Sequence, residues 1–126
     1  MKITVLLIDD DKDDQEIFQK ELNKFNSSIT FLSAYNGQEG LDLLNKIYAD
    51  YIFLDINMPV MNGIDALKLI KKDRSLKDIP VIIYSTSDGR AYKKMALDLG
   101  AINYFTKPTS INGIQKMFAQ VLPSKV

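Results

Sequence analysis

The groups in this sequence that could do chemistry stand where long apolar runs end. In YIFLDINMPVMNG, Tyr51, Ile52, Phe53 and Leu54 lead without alternation into Asp55, and in ITVLLIDDDKDD a second run ends in Asp9, Asp10 and Asp11. A third, PVIIYSTS, ends in Ser85, Thr86 and Ser87, and a fourth, AINYFTKP, ends in Thr106 and Lys107. Acids can hold a divalent cation, a hydroxyl can donate to an anion and an ammonium can neutralise one. Together the set describes a site for a phosphoryl group on Mg²⁺. Convergence of Asp10 and Asp55 would require such a counter-ion, because like charges ~4 Å apart cost about 4 kcal/mol at an effective dielectric near 20. Asp11, Asp13 and Asp14 have a simpler reading as the acidic first turn of a helix, where they complement the dipole. Asp13 and Asp14 are expected to be solvated there.

The elements that must position these groups follow from periodicity. Unbroken apolar runs are the pattern of strands buried on both faces of a parallel sheet, and ligands bind such sheets at the strand exits. Ile17, Phe18, Leu22 and Phe25 mark an amphipathic helix over about 12–25, followed by a shorter strand over 29–35. Asn36 with Glu39 forms a capping box, and Leu41, Leu44 and Ile47 give the next helix its inward face. After Asp55, Pro59 and the Asn62-Gly63 pair make a loop, and Asn62 with Asp65 caps a helix carrying Ile64, Leu67 and Ile70. Tyr92, Met95, Ala96 and Leu99 define a fourth helix, with Gly100 where a left-handed cap is wanted. Ser110 caps a fifth, whose Ile111, Ile114, Phe118 and Val121 face inward. Strands alternating with helices predict an α/β protein, a five-stranded parallel sheet wound on both faces.

Composition narrows the function. At 126 residues the chain fits one domain, and 16 basic against 16 acidic residues leave no net charge, so neither nucleic acid nor an anionic membrane is an implied partner. Cysteine and histidine are absent. That removes disulfides, thiolate and imidazole metal sites, serine-type triads and any self-supplied phosphohistidine. No apolar run approaches the roughly 20 residues of a membrane span, and a soluble, cytoplasmic protein is expected.

LLIDDD, LDINMP with MNG, PVIIYST and NYFTKP together resemble the receiver domain of two-component response regulators, from Ile3 to about Leu122. The resemblance implies the flavodoxin-like strand order 2-1-3-4-5, an order for which a chemotaxis receiver is a standard example. It implies that Asp55 is the phosphoacceptor, that Asp10, Asp55 and the Asn57 carbonyl coordinate Mg²⁺, and that Asp9 helps through bound water. Ser85 would contact the phosphoryl oxygens, Lys107 would pair with them, and Tyr104 would be an aromatic switch that turns inward. The peptide before Pro108 is often cis in such domains. Ser85 stands where threonine is also common, and Gly89 falls at the start of the fourth helix. By the same likeness, residues 1–126 form a single receiver domain without an output domain. It is expected to catalyse only its own aspartyl phosphorylation and dephosphorylation. The resemblance further implies that the phosphoryl donor would be a sensor histidine kinase or a histidine phosphotransfer protein, and that the signal would pass to a separate target protein from a monomer or a phosphorylation-dependent dimer.

Other classes fit the residues less well. A haloacid-dehalogenase-like phosphohydrolase needs D-x-D-x-T or V after the first strand, and here Asp9, Asp11 and Asp13 follow without the Thr or Val. A calcium loop would need Gly at Asp14 and Glu at Lys20. A receiver-like interaction module that is never phosphorylated is the third reading, although all the acceptor residues are present.

Overall fold

The computed structural model describes residues 2–86 and 89–124. Ser87, grouped above with the third strand exit, and the terminal Lys125 and Val126 lie outside them. The elements run β1 (Thr4–Ile8), α1 (Lys12–Phe25), β2 (Thr30–Ala34), α2 (Gly37–Leu44), β3 (Tyr51–Leu54), α3 (Gly63–Lys72), β4 (Val81–Ser85), α4 (Arg90–Asp98), β5 (Asn103–Thr106) and α5 (Ile111–Val121). All four strand pairings are parallel and the order is β2-β1-β3-β4-β5, as the resemblance implied.

The unbroken apolar runs form strands because both of their faces are covered. Alternate residues enter two cores. Leu6, Ile8, Ile52, Leu54, Val81 and Ile83 pack with the residues of α2 and α3, whereas Val5, Leu7, Phe53, Ile82 and Tyr84 pack with α1 and α5. The second core is aromatic, with Phe18 edge-on to Phe53 and Phe118, ring centroids 5.0 Å apart in each case. Such pairs add about 0.5–1.5 kcal/mol beyond their area burial.

Caps fall where the sequence puts them. The Asn36, Asn62 and Ser110 side chains accept from the N–H groups of Glu39, Asp65 and Gly113. Glu39 Oε1 closes its box on the Tyr35 N–H at 3.2 Å, one residue before the cap. Gly100 ends α4 at φ 109°, the left-handed region that favours glycine.

Several apolar residues that marked the helices above, or their inward faces, are exposed. Ile17, Ile47, Tyr92, Met95 and Ile111 all reach solvent. Ile47 lies beyond the end of α2, which stops at Leu44, and α4 buries Ala96 alone among its residues. Conversely, polar Gln15 and Glu21 on α1 are buried. Gln115 of α5 donates to the Glu21 carbonyl and carboxylate at 2.9 and 3.0 Å, which is why an acid is tolerated between those helices.

Gly63 is fixed by close approach. Its N–H donates to the Ile56 carbonyl at 2.8 Å, and a Cβ built on it would collide with the Asp55 carbonyl oxygen. The first turn of α3 therefore closes directly over the exit of β3. Gly63→Ala is expected to cost at least the roughly 1–3 kcal/mol typical of overpacking, seen as a lower urea midpoint, because backbone rather than a pliable side chain must yield. An unchanged midpoint would mean that α3 can back away from Asp55 freely.

Candidate functional site

Parallel pairing brings the strand exits to one edge of the sheet, and the ladder continues one residue beyond each strand. Asp55 N–H donates to the Ile8 carbonyl at 3.0 Å, Asp9 N–H to the Ala34 carbonyl at 3.0 Å, and Lys107 N–H to the Ser85 carbonyl at 2.8 Å. Each chemical group thus hangs from backbone held on a neighbouring strand. By strand alternation Asp9, Asp55 and Lys107 continue the face of Leu7, Phe53 and Phe105, the α1/α5 side.

Asp9, Asp10 and Asp55 each offer a carboxylate oxygen, and these lie within 4.8 Å of one another. Asp9 and Asp55 are buried, while Asp10 is exposed. Asp55 Oδ1 accepts from the Ile56 N–H at 2.8 Å, and Asp9 Oδ1 from the Asp11 N–H at 3.0 Å. Three hard oxygens at this spacing, open to water through Asp10, suit a divalent cation. Metal–oxygen distances of roughly 2.0–2.1 Å put ligands on opposite sides of Mg²⁺ about 4 Å apart.

Lys107 is the cation of the cluster. Its Nζ stands 2.7 Å from Asp9 Oδ2, 2.6 Å from Asp14 Oδ2 and 3.7 Å from Asp55 Oδ2. Asp9 Oδ2 is buried and accepts no well-directed hydrogen bond, so its contact with Lys107 is chiefly one of charge. The ammonium also lies over the Tyr84 ring, 5.4 Å from its centroid. Burial works against the charged lysine, but the close polar contacts with Asp14 and Asp9 and the charges of Asp9 and Asp55 outweigh it and hold the pKa above the ordinary lysine value. Burial pushes the Tyr84 hydroxyl up to about 12, with the Asp14 charge adding to it.

The remaining residues singled out above fall in different places. Ser85 is buried at the end of β4 and joined to Lys107 through the backbone. Asn57 is exposed on the wall of a shallow cleft of about 230 Å³ that Tyr92 and Met95 also line. Tyr104 is already buried, in the core on the other face of the sheet. The Lys107–Pro108 peptide is trans, since no cis bond occurs among the described residues. Trans is the favoured form by about 0.5–1 kcal/mol, and Lys107 reaches the acids without the cis bond. Asp14 corrects the sequence reading. It is no solvated first-turn residue but a partner of Lys107, with 29% of its side chain exposed.

Three further residues shape the site. Gln15 Nε2 is shared among the carbonyls of Leu7, Asp9 and Ala34 at 3.0–3.2 Å, which ties the acidic loop to the ends of β1 and β2. Tyr84 floors the lysine, and Gly63 admits α3. Tyr84 and Gly63 could have been suspected from their places beside a strand exit and a helix cap, but no sequence pattern marks Gln15. Val60, in the loop after Asp55, has φ 71°, and Met61 N–H donates to the Pro59 carbonyl across it at 2.7 Å. A β-branched residue held there stores strain of about 1–3 kcal/mol in the loop that leaves Asp55. A wider concavity of about 520 Å³ between α1 and β2 contains none of these groups.

Comparison with known proteins follows the same lines. The family described as the response regulator receiver domain matches residues 5–119. An uncharacterized transcriptional regulatory protein, YcbL, of Bacillus subtilis is 36% identical over 106 residues, which are 84% of this chain and 45% of that protein. A protein-glutamate methylesterase/protein-glutamine glutaminase of Clostridium acetobutylicum is 38% identical over 119 residues, 92% of this chain and 34% of that protein. The chain therefore spans less than half the length of these curated relatives. Among solved structures, the phosphorylated cyanobacterial phytochrome response regulator RcpA superposes with a TM-score of 0.87 at 26% identity, covering 96% of this chain and 91% of that one.

The electrostatics of Asp9 give a pH dependence. Burial pushes its carboxyl up to about 6 from 3.8, against the pull of Lys107 and the Asp11 N–H, with the Asp55 charge raising it further. The folded state then binds a proton in that interval that the unfolded state releases. Its contribution to stability is present below about pH 4 and is lost as pH rises through about 6. In metal-free buffer, the stability of the wild type minus that of Asp9→Asn is expected to fall across this interval, as followed by urea midpoints. A difference that rises with pH there would reverse the assignment.

Proposed function

Because the chain belongs to the response regulator receiver family, we propose that it is a phosphoacceptor of two-component signalling whose Asp55 takes a phosphoryl group from the phosphohistidine of a partner protein. The observation that carries this reading is the meeting of Asp9, Asp10 and Asp55 within 4.8 Å, with Lys107 Nζ 3.7 Å from Asp55. A receiver of known structure in the phosphorylated state, RcpA, has the same fold.

In the proposed reaction a carboxylate oxygen of Asp55 bonds to phosphorus as the phosphorus–nitrogen bond to the donor histidine breaks, leaving an acyl phosphate on Asp55. The donor histidine lies outside residues 1–126, which contain none, unless a small phosphodonor takes its place. Asp9, Asp10, Asp55 and the Asn57 carbonyl are the groups that would hold Mg²⁺, with Asp9 acting through water. When bound, the cation supplies the positive charge that offsets the carboxylates and the phosphoryl oxygens. Lys107 places its ammonium where charge develops, and Ser85 offers a hydroxyl from the adjacent strand exit.

The phosphoryl adds about 1.5 to 2 negative charges. In this reading Lys107 and Ser85 respond to it, and the change reaches the face built by α4, β5 and α5, with Tyr104 as the aromatic switch. The partners are a sensor histidine kinase or histidine phosphotransfer protein upstream and a separate target protein downstream, met as a monomer or a phosphorylation-dependent dimer. Residues 1–126 act as a single receiver domain whose only catalysis is on its own Asp55. A cytoplasmic setting fits this chemistry, and among the described residues no helix is long and apolar enough to cross a membrane.

Asp55→Asn is expected to abolish labelling by acetyl phosphate in the presence of Mg²⁺ while keeping the fold, because it removes one carboxylate from a crowded cluster. Retained labelling would move the acceptor elsewhere. No labelling of the wild type by acetyl phosphate or by any histidine donor would favour an interaction module that is never phosphorylated. For the metal, calorimetry is expected to find weak Mg²⁺ binding that Asp10→Ala eliminates, since a site with few protein ligands cannot spare one. Unchanged affinity in that variant would refute the proposed ligand set.

A further inference from the structure

Lys107 is shared unequally. Of the three carboxylates around its ammonium, the one proposed to accept the phosphoryl group is the farthest, at 3.7 Å, and the nearest is Asp14, at 2.6 Å. Asp14 does not belong to the acid triad whose oxygens converge. It approaches from the first turn of α1 and lines a cleft of about 160 Å³ together with Pro108, Thr109 and Ser110. The lysine side chain is only 10% exposed and lies over Tyr84, so its ammonium has few other places to go. Asp14 itself is anchored, because its N–H donates to the capping carboxylate of Asp11 at 3.0 Å.

We propose that Asp14 is a positioning residue that acts through Lys107 as a counterweight, holding the ammonium toward α1 and competing with a phosphoryl group on Asp55 for it. The inference rests on the phosphoacceptor role given to Asp55 above. Two effects act in the same direction. A phosphoryl group must draw Lys107 away from a charge-assisted hydrogen bond, and the Asp14 carboxylate repels the added negative charge across a short gap. The pair thus behaves as a two-position element. With Asp55 unmodified Lys107 leans on Asp14, and with the phosphoryl in place it leans on Asp55. The resting position is favoured by whatever the Asp14 bond is worth, and since Asp14 is partly exposed that worth is modest. Neutralising Asp14 should therefore bias the domain toward the state that binds a phosphoryl, without supplying any new contact to the phosphoryl itself.

The test uses beryllofluoride with Mg²⁺ as the phosphoryl mimic and compares the wild type, Asp14→Asn, Asp14→Glu and Asp55→Asn, all checked for folding by amide spectra. Asp14→Asn is expected to bind the mimic about two- to fivefold more tightly than the wild type, the range that partly exposed ion pairs allow. That gain should shrink at high salt. Asp14→Glu, which keeps the charge, should return toward the wild type. In the unmodified protein, saturation with the mimic should shift the Asp14 carboxyl carbon resonance as its lysine partner leaves. Equal or weaker mimic binding by Asp14→Asn, or an Asp14 resonance indifferent to the mimic, would overturn the counterweight and make Asp14 a fixed brace of Lys107. If the wild type binds the mimic no better than Asp55→Asn does, the acceptor role of Asp55 falls, and the counterweight falls with it.

Discussion

The site depends on one ammonium shared among too many carboxylates. Asp9 and Asp55 are buried and hang from adjacent strands, Asp10 brings a third oxygen within 4.8 Å, and Asp14 closes on the lysine from α1. At ~4 Å each like pair is worth about 4 kcal/mol of repulsion at an effective dielectric near 20, so the arrangement is tenable only because Lys107 touches three of the four acids and Asp10 faces water. Asp9, the most deeply buried, responds by holding its proton up to about pH 6. The negative charge that Lys107 leaves uncompensated is what suits the cluster to a divalent cation.

What keeps those charges together is the apolar sheet beneath them. The runs of β1, β3 and β4 bury both faces, and their parallel pairing forces the exits to one edge. The ladder bonds from Asp55, Asp9 and Lys107 to neighbouring strands mean that none of these groups can retreat from the others without breaking a backbone bond. Gln15 and Gly63 complete the hold, one by tying the acidic loop to β1 and β2, the other by letting α3 sit against the Asp55 carbonyl. Hydrophobic burial is in this way set against electrostatic repulsion. The burial is spread over the whole core and outweighs a repulsion that is concentrated at one edge.

Legibility in the sequence followed the same division. Doubly buried strands write themselves as continuous apolar runs, so β1, β3 and β4 and the residues ending them could be read directly, and the caps at Asn36, Asn62 and Ser110 announced α2, α3 and α5. Helix faces were less legible. Apolar periodicity located α1 and α4 through Ile17, Tyr92 and Met95 and turned Ile111 inward, yet all four reach solvent, because how much of a helix is covered depends on its neighbours, and α4 buries Ala96 alone. Buried Gln15 and Glu21 were invisible because a polar residue enters a core only when partners elsewhere in the chain satisfy it. Asp14 was misread for the same reason. A first-turn acid is ordinarily solvated, and the lysine that recruits it comes from 93 residues away.

The route by which a change at Asp55 could leave the site is narrow. Lys107 is bound at its head by carboxylates and at its backbone by the Ser85 carbonyl, with Pro108 limiting rotation immediately after it and Ser110 capping α5 two residues further on. A long, flexible side chain in water would absorb a pull of an ångström by changing rotamer. This one is buried over Tyr84, where close packing leaves few rotamers to change to, so part of any pull must pass to the β5–α5 connection. Tyr104 lies three residues before Lys107 on β5 but in the opposite core, among the residues of α2, α3 and α4. A movement of β5 would therefore be felt on both faces of the sheet at once, through α5 on one side and Tyr104 on the other. That two-sided coupling requires no contact between Tyr104 and the acids, only a strand that the two groups share.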